Sequence, residues 1–212
     1  MIELKNITKS YGNRTVLNDF NLNVEEGKIT CILGESGSGK TTLFNIIANL
    51  IDYQGSVVCP EVSYVFQTPN LFDNLTVKQN LELVCSSNAK IESLTKALGI
   101  FDRLNSYPKH LSGGEAQRVA LCRGILFSKP LLLLDEPFAS IDVMLRYSLI
   151  DEVKKQQKAN KNTVLVVTHD VREAVALADR IIVLKHGKIV YDNSSVDTNT
   201  EAEVFNVLIN AK

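Results

Sequence analysis

The sequence predicts an α/β protein built on a mostly parallel β-sheet, and three features support that class. Strand-like segments alternate with helix-like segments along most of the chain, which is typical of parallel strands joined by crossover helices. A glycine-rich loop at residues 34–42 separates one such strand from the helix that follows. Residues 131–134 are all leucine, as expected of a strand that is buried on both faces.

The remaining elements follow from local residue patterns. Residues 2–8 and 16–24 alternate apolar and polar side chains, so we expect two half-buried strands, with Tyr11, Gly12 and Asn13 as turn residues between them. Further strands are predicted at residues 28–33, 62–66, 163–167 and 180–184. Helices are predicted at residues 41–50, 112–127, 171–178 and 200–211, with another beginning at residue 142.

These elements predict one domain over residues 1–212. The residue pattern at residues 74–109 is that of helical segments separated by short polar stretches. We therefore expect a β subdomain and a phosphate-binding core at about residues 1–73 and 116–212, with an inserted helical subdomain at about residues 74–115.

Composition and charge restrict the possible functions. The chain is 45% hydrophobic, which supports a sizeable core, and its net charge of −1 gives no whole-surface attraction to nucleic acid or anionic lipid. The most apolar stretch, residues 121–134, is interrupted by Arg123, Lys129 and Pro130, so we expect no membrane span. The N-terminus lacks the layout of a signal peptide, so we expect a cytoplasmic protein.

The cysteines are scattered and form no C-x-x-C pair. We interpret them as small buried apolar residues in a reducing compartment, rather than as a metal or redox site. They are Cys31, Cys59, Cys85 and Cys122.

The loop at residues 34–42, the phosphate loop, matches G-x-x-x-x-G-K-[ST] in full. It contains Gly34, Glu35, Ser36, Gly37, Ser38, Gly39, Lys40, Thr41 and Thr42. Glycines allow backbone N–H groups to surround phosphate oxygens, and the following helix directs its positive end at them. Lys40 is predicted to reach the β- and γ-phosphates, and the Thr41 hydroxyl to coordinate Mg²⁺.

The alternative for this loop is an accidental glycine-rich turn, but its place between a strand and a helix argues against that. The loop alone does not distinguish an ATPase from a GTPase or a kinase. The N-K-x-D motif that reads a guanine base is absent from the sequence.

Two carboxylates, Asp135 and Glu136, follow the leucine strand directly. Open α/β sheets present ligand-binding groups at this end of their strands. Asp135 is predicted to hold Mg²⁺, directly or through water, and Glu136 to polarise an attacking water. The alternative is that both residues only cap a helix, but Pro137 comes next and a phosphate loop lies upstream.

A second glycine pair lies in the signature segment, residues 111–117. Ser112, Gly113 and Gly114 open a predicted helix and can present a hydroxyl and backbone N–H groups to an anion. The same residues also fit an ordinary capping box with Glu115 at the third helical position. The segment alone leaves both interpretations open.

Together these motifs resemble the nucleotide-binding subunit of an ATP-binding cassette (ABC) transporter, over essentially the whole chain. The resemblance implies a P-loop NTPase (RecA-like) core with an antiparallel β subdomain and an inserted helical subdomain. It also implies that Ser112, Gly113 and Gly114 contact the γ-phosphate of a nucleotide held by the opposite subunit.

The resemblance assigns further roles. It implies that Tyr11 stacks on adenine, that Gln67 senses Mg²⁺ and the membrane partner, and that His169 lies near the γ-phosphate. The implied catalytic residues are Glu136, His169 and Lys40, and the implied metal ligands are Thr41, Gln67 and Asp135. Taken singly, Tyr11 and Gln67 would more often be surface residues, and His169 would more often be an ordinary histidine at the end of a strand. The resemblance therefore depends on all three occurring together in the expected order.

One segment departs from the family pattern. Residues 139–142, the crossing loop, read Ala139-Ser140-Ile141-Asp142 where the family usually has S-A-L-D. The resemblance implies that this loop crosses between subunits. Because Asp142 is kept, we expect modest effects on communication between them.

Several details resemble nitrate/sulfonate/taurine-type import ATPases, including Phe138 after the acidic pair and Tyr107-Pro108 before the signature segment. This implies ATP and Mg²⁺ as cofactors and a head-to-tail dimer with a second copy or a homologous subunit. The implied partners are integral-membrane permease subunits and an extracytoplasmic solute-binding protein, with no nucleic acid. The location implied is cytoplasmic, peripheral on the inner face of the cell membrane.

Three alternatives remain open at this point. One is a soluble cassette ATPase acting on DNA or ribosomes, although such relatives typically carry paired cassettes, coiled-coil arms or zinc inserts. Another is a lipoprotein-release or cell-division ATPase, which more often has Thr where Phe138 stands. The third is a degenerate cassette that binds ATP without hydrolysing it.

Overall fold

The computed structural model describes residues 2–210 and contains two β-sheets with helices around the larger one. The strands in that range are β1 (Ile2–Tyr11), β2 (Arg14–Val24), β3 (Ile29–Leu33), β4 (Gln54–Val58), β5 (Val62–Val65), β6 (Leu131–Asp135), β7 (Thr163–Thr168), β8 (Arg180–Lys185) and β9 (Lys188–Asn193). The helices are α1 (Lys40–Ile47), α2 (Val77–Glu82), α3 (Asn88–Ala97), α4 (Gly113–Leu126), α5 (Val143–Asn160), α6 (Val171–Leu177) and α7 (Thr200–Asn210).

The larger sheet has the order β5-β6-β7-β3-β8-β9, and only the edge strand β9 runs antiparallel to its neighbour. Every residue of β3, β6 and β7 is buried, because helices cover both faces of a parallel sheet. The predicted mostly parallel core is confirmed.

The register of the central strands determines where the loops after them lie. Leu33 of β3 pairs with Thr168 of β7, and Asp135 of β6 pairs with Val167 of β7. The carboxyl ends of these three strands therefore lie at one level. The phosphate loop, the acidic pair and the turn that carries His169 all begin there.

The smaller sheet is antiparallel and has the order β2-β1-β4, so the expected antiparallel subdomain is also confirmed. Tyr11 is the last residue of β1 and pairs with Arg14 across the turn at residues 12–13. It was expected to be a turn residue. Its strand position follows from pairing that continues along the full hairpin.

Two strands were absent from the sequence prediction. In β4, Gly55 at φ 107° lies so close to β1 that a side chain would meet the carbonyl oxygen of Lys5 at 2.5 Å. Strand β9 follows a tight turn at His186 and Gly187, which both have positive φ, of 48° and 72°. Such hairpin turns are normally signalled by Asn-Gly or Asp-Gly, and His-Gly lacks that signal.

The region between β5 and β6 is helical, as expected. It contains α2, α3 and two short 3₁₀ turns, Phe101–Arg103 and Pro108–His110. Helix α4 begins inside the expected insert and continues to Leu126 beneath the large sheet. The subdomain bounds at residues 74 and 115 stay a prediction.

Two smaller expectations need correction. The four cysteines are free thiols, but only Cys31 and Cys122 are buried, whereas Cys59 and Cys85 are half-buried. Helix α1 ends at Ile47 rather than at residue 50, because Asn49 adopts a left-handed φ of 54°. Residue 211, the predicted end of the last helix, lies outside the described residues. No helix within residues 2–210 is long and apolar enough to cross a membrane.

Strand β6 should be a main source of stability, because Leu133 is fully buried between the sheet and α1. We expect Leu133→Ala to lower the free energy of unfolding by about 2–5 kcal/mol through lost burial and a residual cavity. Leu83, which is 56% exposed, supplies the control. Leu83→Ala should change the free energy of unfolding by less than about 0.5 kcal/mol. Urea titration measures both, and equal effects would contradict the assignment of the core.

Candidate active site

A cleft of about 440 Å³ opens at the carboxyl ends of the central strands. Most of the predicted site residues line it, and so do Arg14, Val16 and Val167, which were not predicted from the sequence. The predicted residues in its lining are Tyr11, Ser36, Gly37, Gly39, Lys40, Thr41, Thr42, Gln67, Asp135 and Glu136. Because these predicted residues come from four separate parts of the chain, and Val167 from a fifth, the fold assembles the cleft.

The phosphate loop wraps the N-terminus of α1. Gly39 is the N-cap residue at φ 109°, and among the described residues no side chain caps this end of the helix. The first N–H groups of a helix have no partners within it, so these donors remain available to an anion in the cleft. Gly34 fits only without a side chain, since a Cβ there would run into the carbonyl oxygen of Leu184.

Lys40 lies folded against its own loop. Its Nζ donates to the carbonyl oxygens of Gly34 at 2.7 Å and Glu35 at 3.0 Å. Burial lowers the pKa of Lys40, and the nearby carboxylates of Glu136 and Asp135 oppose that effect. The ammonium group is therefore held at the centre of the loop.

Asp135 is 2% exposed, and its two carboxylate oxygens differ in their contacts. Oδ2 accepts a hydrogen bond from the Tyr64 hydroxyl at 3.3 Å, whereas the buried Oδ1 has no partner among residues 2–210. Burial raises the pKa of this carboxyl, opposed by the Thr41 and Tyr64 hydroxyls. A buried carboxylate oxygen without a partner is unfavourable, so this position is suited to a cation.

Tyr64 is a site residue that was not predicted from the sequence. It lies on β5, which pairs with β6 in register at Leu133, and its ring stacks on Phe66 with 3.9 Å between centroids. Burial raises its pKa, as does the neighbouring charge of Asp135. A lone tyrosine in a short strand gives no signal of such a contact, because strand pairing creates it.

Glu136 and His169 meet at the next position. His169 Nδ1 lies 2.8 Å from Glu136 Oε2. The Glu136 side chain is 11% exposed and that of His169 is 69% exposed. Glu136 adopts a left-handed φ of 49°, and its N–H donates to Val167 at 2.9 Å. The backbone of β7 thus holds the glutamate in a conformation that is unfavourable for a non-glycine residue.

Tyr11 and Gln67 lie at the rim of the cleft. Tyr11 is 50% exposed, and the Lys9 ammonium lies 5.1 Å from its ring centroid. Gln67 is exposed just beyond β5. An exposed aromatic face at the rim can stack on a flat base.

Ser112, Gly113 and Gly114 do not line the cleft, so the chain does not bring the signature segment to its own phosphate loop. Ser112 caps α4, where its Oγ accepts from Glu115 N–H at 3.2 Å and its own N–H donates to Glu115 Oε2 at 2.8 Å. Arg103 Nε donates to the other oxygen of Glu115 at 2.7 Å. The capping-box interpretation is confirmed.

The signature segment also contacts the crossing loop. A Cβ at Gly114 would lie 2.8 Å from the carbonyl oxygen of Ser140, whereas one at Gly113 would meet nothing within 4 Å. Gly114 is therefore required by packing within the chain. Gly113 has open space beside it.

Comparison with known proteins decides the family. The family model described as ABC transporter matches residues 17–139, more than half of the chain. This chain belongs to the ABC transporter family. It is an ATP-binding cassette that hydrolyses ATP.

Curated relatives cover most of this cassette. It is 40% identical over 199 residues to the aliphatic sulfonates import ATP-binding protein SsuB 1 of Paracoccus denitrificans, covering 91% of this chain and 82% of that protein. It is 35% identical over 215 residues to the choline transport ATP-binding protein OpuBA of Bacillus subtilis, covering 90% of this chain and 56% of that protein.

Solved structures agree with the fold. The dimeric structure of MJ0796, a bacterial ABC transporter cassette, superposes with a TM-score of 0.83 at 32% identity, covering 91% of this chain and 98% of that one. A post-hydrolysis dimer of MJ0796 bound to ADP and Pi gives the same values.

Glu115 supplies a pH-dependent test of the capping box. The hydrogen bonds that the Ser112 N–H and Arg103 donate lower its pKa to about 2, from the ordinary value of about 4.5. Because the folded pKa is depressed, the carboxylate stabilises the fold above about pH 4.5 and loses this effect as pH falls towards 2. We expect Glu115→Gln to lower the free energy of unfolding by up to about 1 kcal/mol at pH 7.

Urea titrations between pH 7 and pH 3 measure the difference in free energy of unfolding between the unchanged chain and Glu115→Gln. This difference should become smaller below pH 4.5. The surface pair between Glu92 and Lys96, with a 2.6 Å contact, supplies the control. Glu92→Gln should change the free energy by less than about 0.5 kcal/mol. A difference for Glu115→Gln that is constant down to pH 3 would contradict the assigned pKa.

Proposed function

We propose that this cassette is the energy-coupling subunit of a solute importer, and that two copies close head-to-tail over two ATP molecules. The observation that carries the proposal is that the two predicted anion-binding segments lie on separate surfaces of one chain. The phosphate loop lies in the cleft, whereas Ser112 and Gly113 lie outside it on an open surface. A second copy, or a homologous subunit, would place its signature segment over the nucleotide of the first.

The proposed chemistry uses the groups at the ends of β6 and β7. Glu136 polarises the attacking water, and His169, in contact with Glu136 at 2.8 Å, orients it near the γ-phosphate. Lys40 exchanges its two carbonyl partners for phosphate oxygens and stabilises the charge that develops there. Tyr11 stacks on the adenine ring.

Thr41, Gln67 and Asp135 are proposed to hold Mg²⁺. The unpartnered Oδ1 of Asp135 supports the fit, as do the three oxygen-bearing side chains that share the cleft. No group of three or more His, Cys, Asp or Glu side chains within residues 2–210 could hold a metal. Mg²⁺ is usually bound by one or two carboxylates together with substrate phosphates, and Asp135 supplies one carboxylate in this cleft. When bound, the ion would neutralise phosphate charge.

Import is proposed because the similar relatives from Paracoccus and Bacillus carry import or transport in their names. In this proposal the cassette binds integral-membrane permease subunits on the cytoplasmic side of the membrane. An extracytoplasmic solute-binding protein delivers the solute, and nucleic acid has no part.

A groove beside Gln67 is the proposed permease contact. It has a volume of about 290 Å³ and lies between β5 and α4, with Phe66, Arg123 and Phe127 in its lining. Nearby, Phe72 just before the helical insert and Leu83 within it are 53% and 56% exposed. We propose that the insert at about residues 74–115 is the unit that transmits closure to the permease.

Glu136→Gln tests this function. We expect the turnover of ATP to fall by about 10²–10⁴-fold, because the water loses its base, while ATP binding persists. Size analysis at high protein and ATP concentration should then show a dimer, since closure no longer ends in hydrolysis. Lys40→Ala is the control, and should abolish both hydrolysis and dimerisation.

Two results would count against the proposal. Activity in Lys40→Ala equal to that of the unchanged chain would show a contaminating enzyme. A Glu136→Gln variant that binds ATP yet stays monomeric at every concentration, with the permease present, would contradict head-to-tail closure.

The two signature glycines give a matched comparison. Gly114→Ala should lower the free energy of unfolding by about 1–3 kcal/mol, because its Cβ meets Ser140. Gly113→Ala should leave the stability of the isolated chain within about 0.5 kcal/mol but reduce ATP turnover about 10- to 100-fold, because a methyl group would intrude on the partner's nucleotide. Urea titration and ATPase assays test both, and full activity in Gly113→Ala would contradict the composite site.

A further inference from the structure

A partly buried charged cluster lies beside the turn that carries His169, and the proposed chemistry does not use it. Its centre is Arg146 on α5. Arg146 Nη1 lies 3.0 Å from Glu173 Oε1 and 3.2 Å from Asp170 Oδ2. One guanidinium thus binds two carboxylates, both from residues that follow His169 in the chain.

The same guanidinium also holds the crossing loop. Arg146 Nη2 donates to the carbonyl oxygen of Ile141 at 3.1 Å, and the backbone N–H of Arg146 donates to the Asp142 carbonyl at 3.0 Å. Asp142 in turn caps α5 by accepting from the Leu145 N–H at 3.0 Å. Arg146 is therefore fixed to the last two residues of the crossing loop.

Both neighbours of His169 belong to the cluster. Thr168 donates its hydroxyl to Glu173 Oε2 at 2.7 Å and accepts from the Asp170 N–H at 3.1 Å. Asp170 also caps α6, accepting from the N–H groups of Arg172 at 2.9 Å and Glu173 at 3.3 Å. The residues on each side of His169 are thus linked to Glu173, Thr168 through its hydroxyl and Asp170 through the shared Arg146 guanidinium.

His169 depends on this support because its own side chain is 69% exposed, with Glu136 as its hydrogen-bonding contact. The supporting groups are less accessible, since the side chains of Arg146, Asp170 and Glu173 are 19%, 33% and 6% exposed. A planar guanidinium holds several acceptors in fixed directions. A buried pair of this kind is strongly unfavourable to break from one side.

We propose that Arg146 is a positioning residue that links the crossing loop to the His169 turn, so that closure against a second copy sets the position of His169. This inference rests on the proposed function, because the crossing loop must meet the second copy for the link to carry information. The ion pair joins two segments that are 24 residues apart and that approach the active site from different strands.

Arg146→Gln tests the link in the purified full chain. We expect kcat for ATP hydrolysis to fall about 10- to 100-fold, with KM for ATP within about threefold, because nucleotide contacts are untouched. Arg146→Lys should recover part of kcat, since one ammonium cannot span all three acceptors. Arg172→Gln is the matched control, because Arg172 bonds Glu201 at the surface, and its kcat should stay within about twofold.

A spectroscopic measurement separates positioning from general stability. The chain has three histidines, so the His169 ring resonances can be assigned with one substitution. They should shift in Arg146→Gln and stay unchanged in Arg172→Gln. The double variant Arg146→Gln with Glu173→Gln removes the uncompensated buried charge, and should regain stability while kcat stays low.

Three results would overturn the inference. They are an unchanged kcat in folded Arg146→Gln, a kcat that returns with stability in the double variant, and unmoved His169 resonances. Each of these results can occur while the unchanged chain hydrolyses ATP and Glu136→Gln dimerises. The role of Arg146 would then be contradicted, and the proposed function would not. A chain without Lys40-dependent hydrolysis would instead remove the proposed function itself.

Discussion

Three buried parallel strands end at one level, and the chemistry of this cassette depends on that register. Leu33, Asp135 and Thr168 close their strands side by side, so the phosphate loop, the acidic pair and the histidine turn emerge together. A slip of one residue in β6 would turn the Asp135 side chain to the opposite face of the sheet. Main-chain pairing, rather than side-chain contact, therefore brings the active site together.

Much of this arrangement could be predicted from sequence because its signals are local. The glycine spacing around Gly34 and Gly39, the leucine run before Asp135, and the Ser112–Glu115 spacing each require only neighbouring residues. The strands β4 and β9 were missed because β4 contains glycine and β9 follows a His-Gly turn without the usual signal. Tyr64 and Arg14 were missed as site residues because strand and hairpin pairing, not spacing, brings them to the cleft.

The contacts of Arg146 also could not be predicted from the sequence. Its partners Ile141, Asp170 and Glu173 lie on both sides of it in the sequence, and an arginine within a polar helix normally indicates a solvated face. Only the packing of α5 beside α6 shows that this one is turned inward. Long-range ion pairs of this kind link functional loops without leaving a sequence motif, whereas the capping box of Ser112 does leave one.

The orphan oxygen of Asp135 has a consequence for the stability of the protein. A buried carboxylate oxygen without a partner is unfavourable, so a cation bound there, as proposed, would stabilise the native state. A ligand present at 100 times its Kd stabilises the native state by about 2.7 kcal/mol through mass action. Where nucleotide is abundant, the ligand-free form is a minor population. Where nucleotide is scarce, the ligand-free form makes up more of the population, and binding then adds less to the stability of the native state.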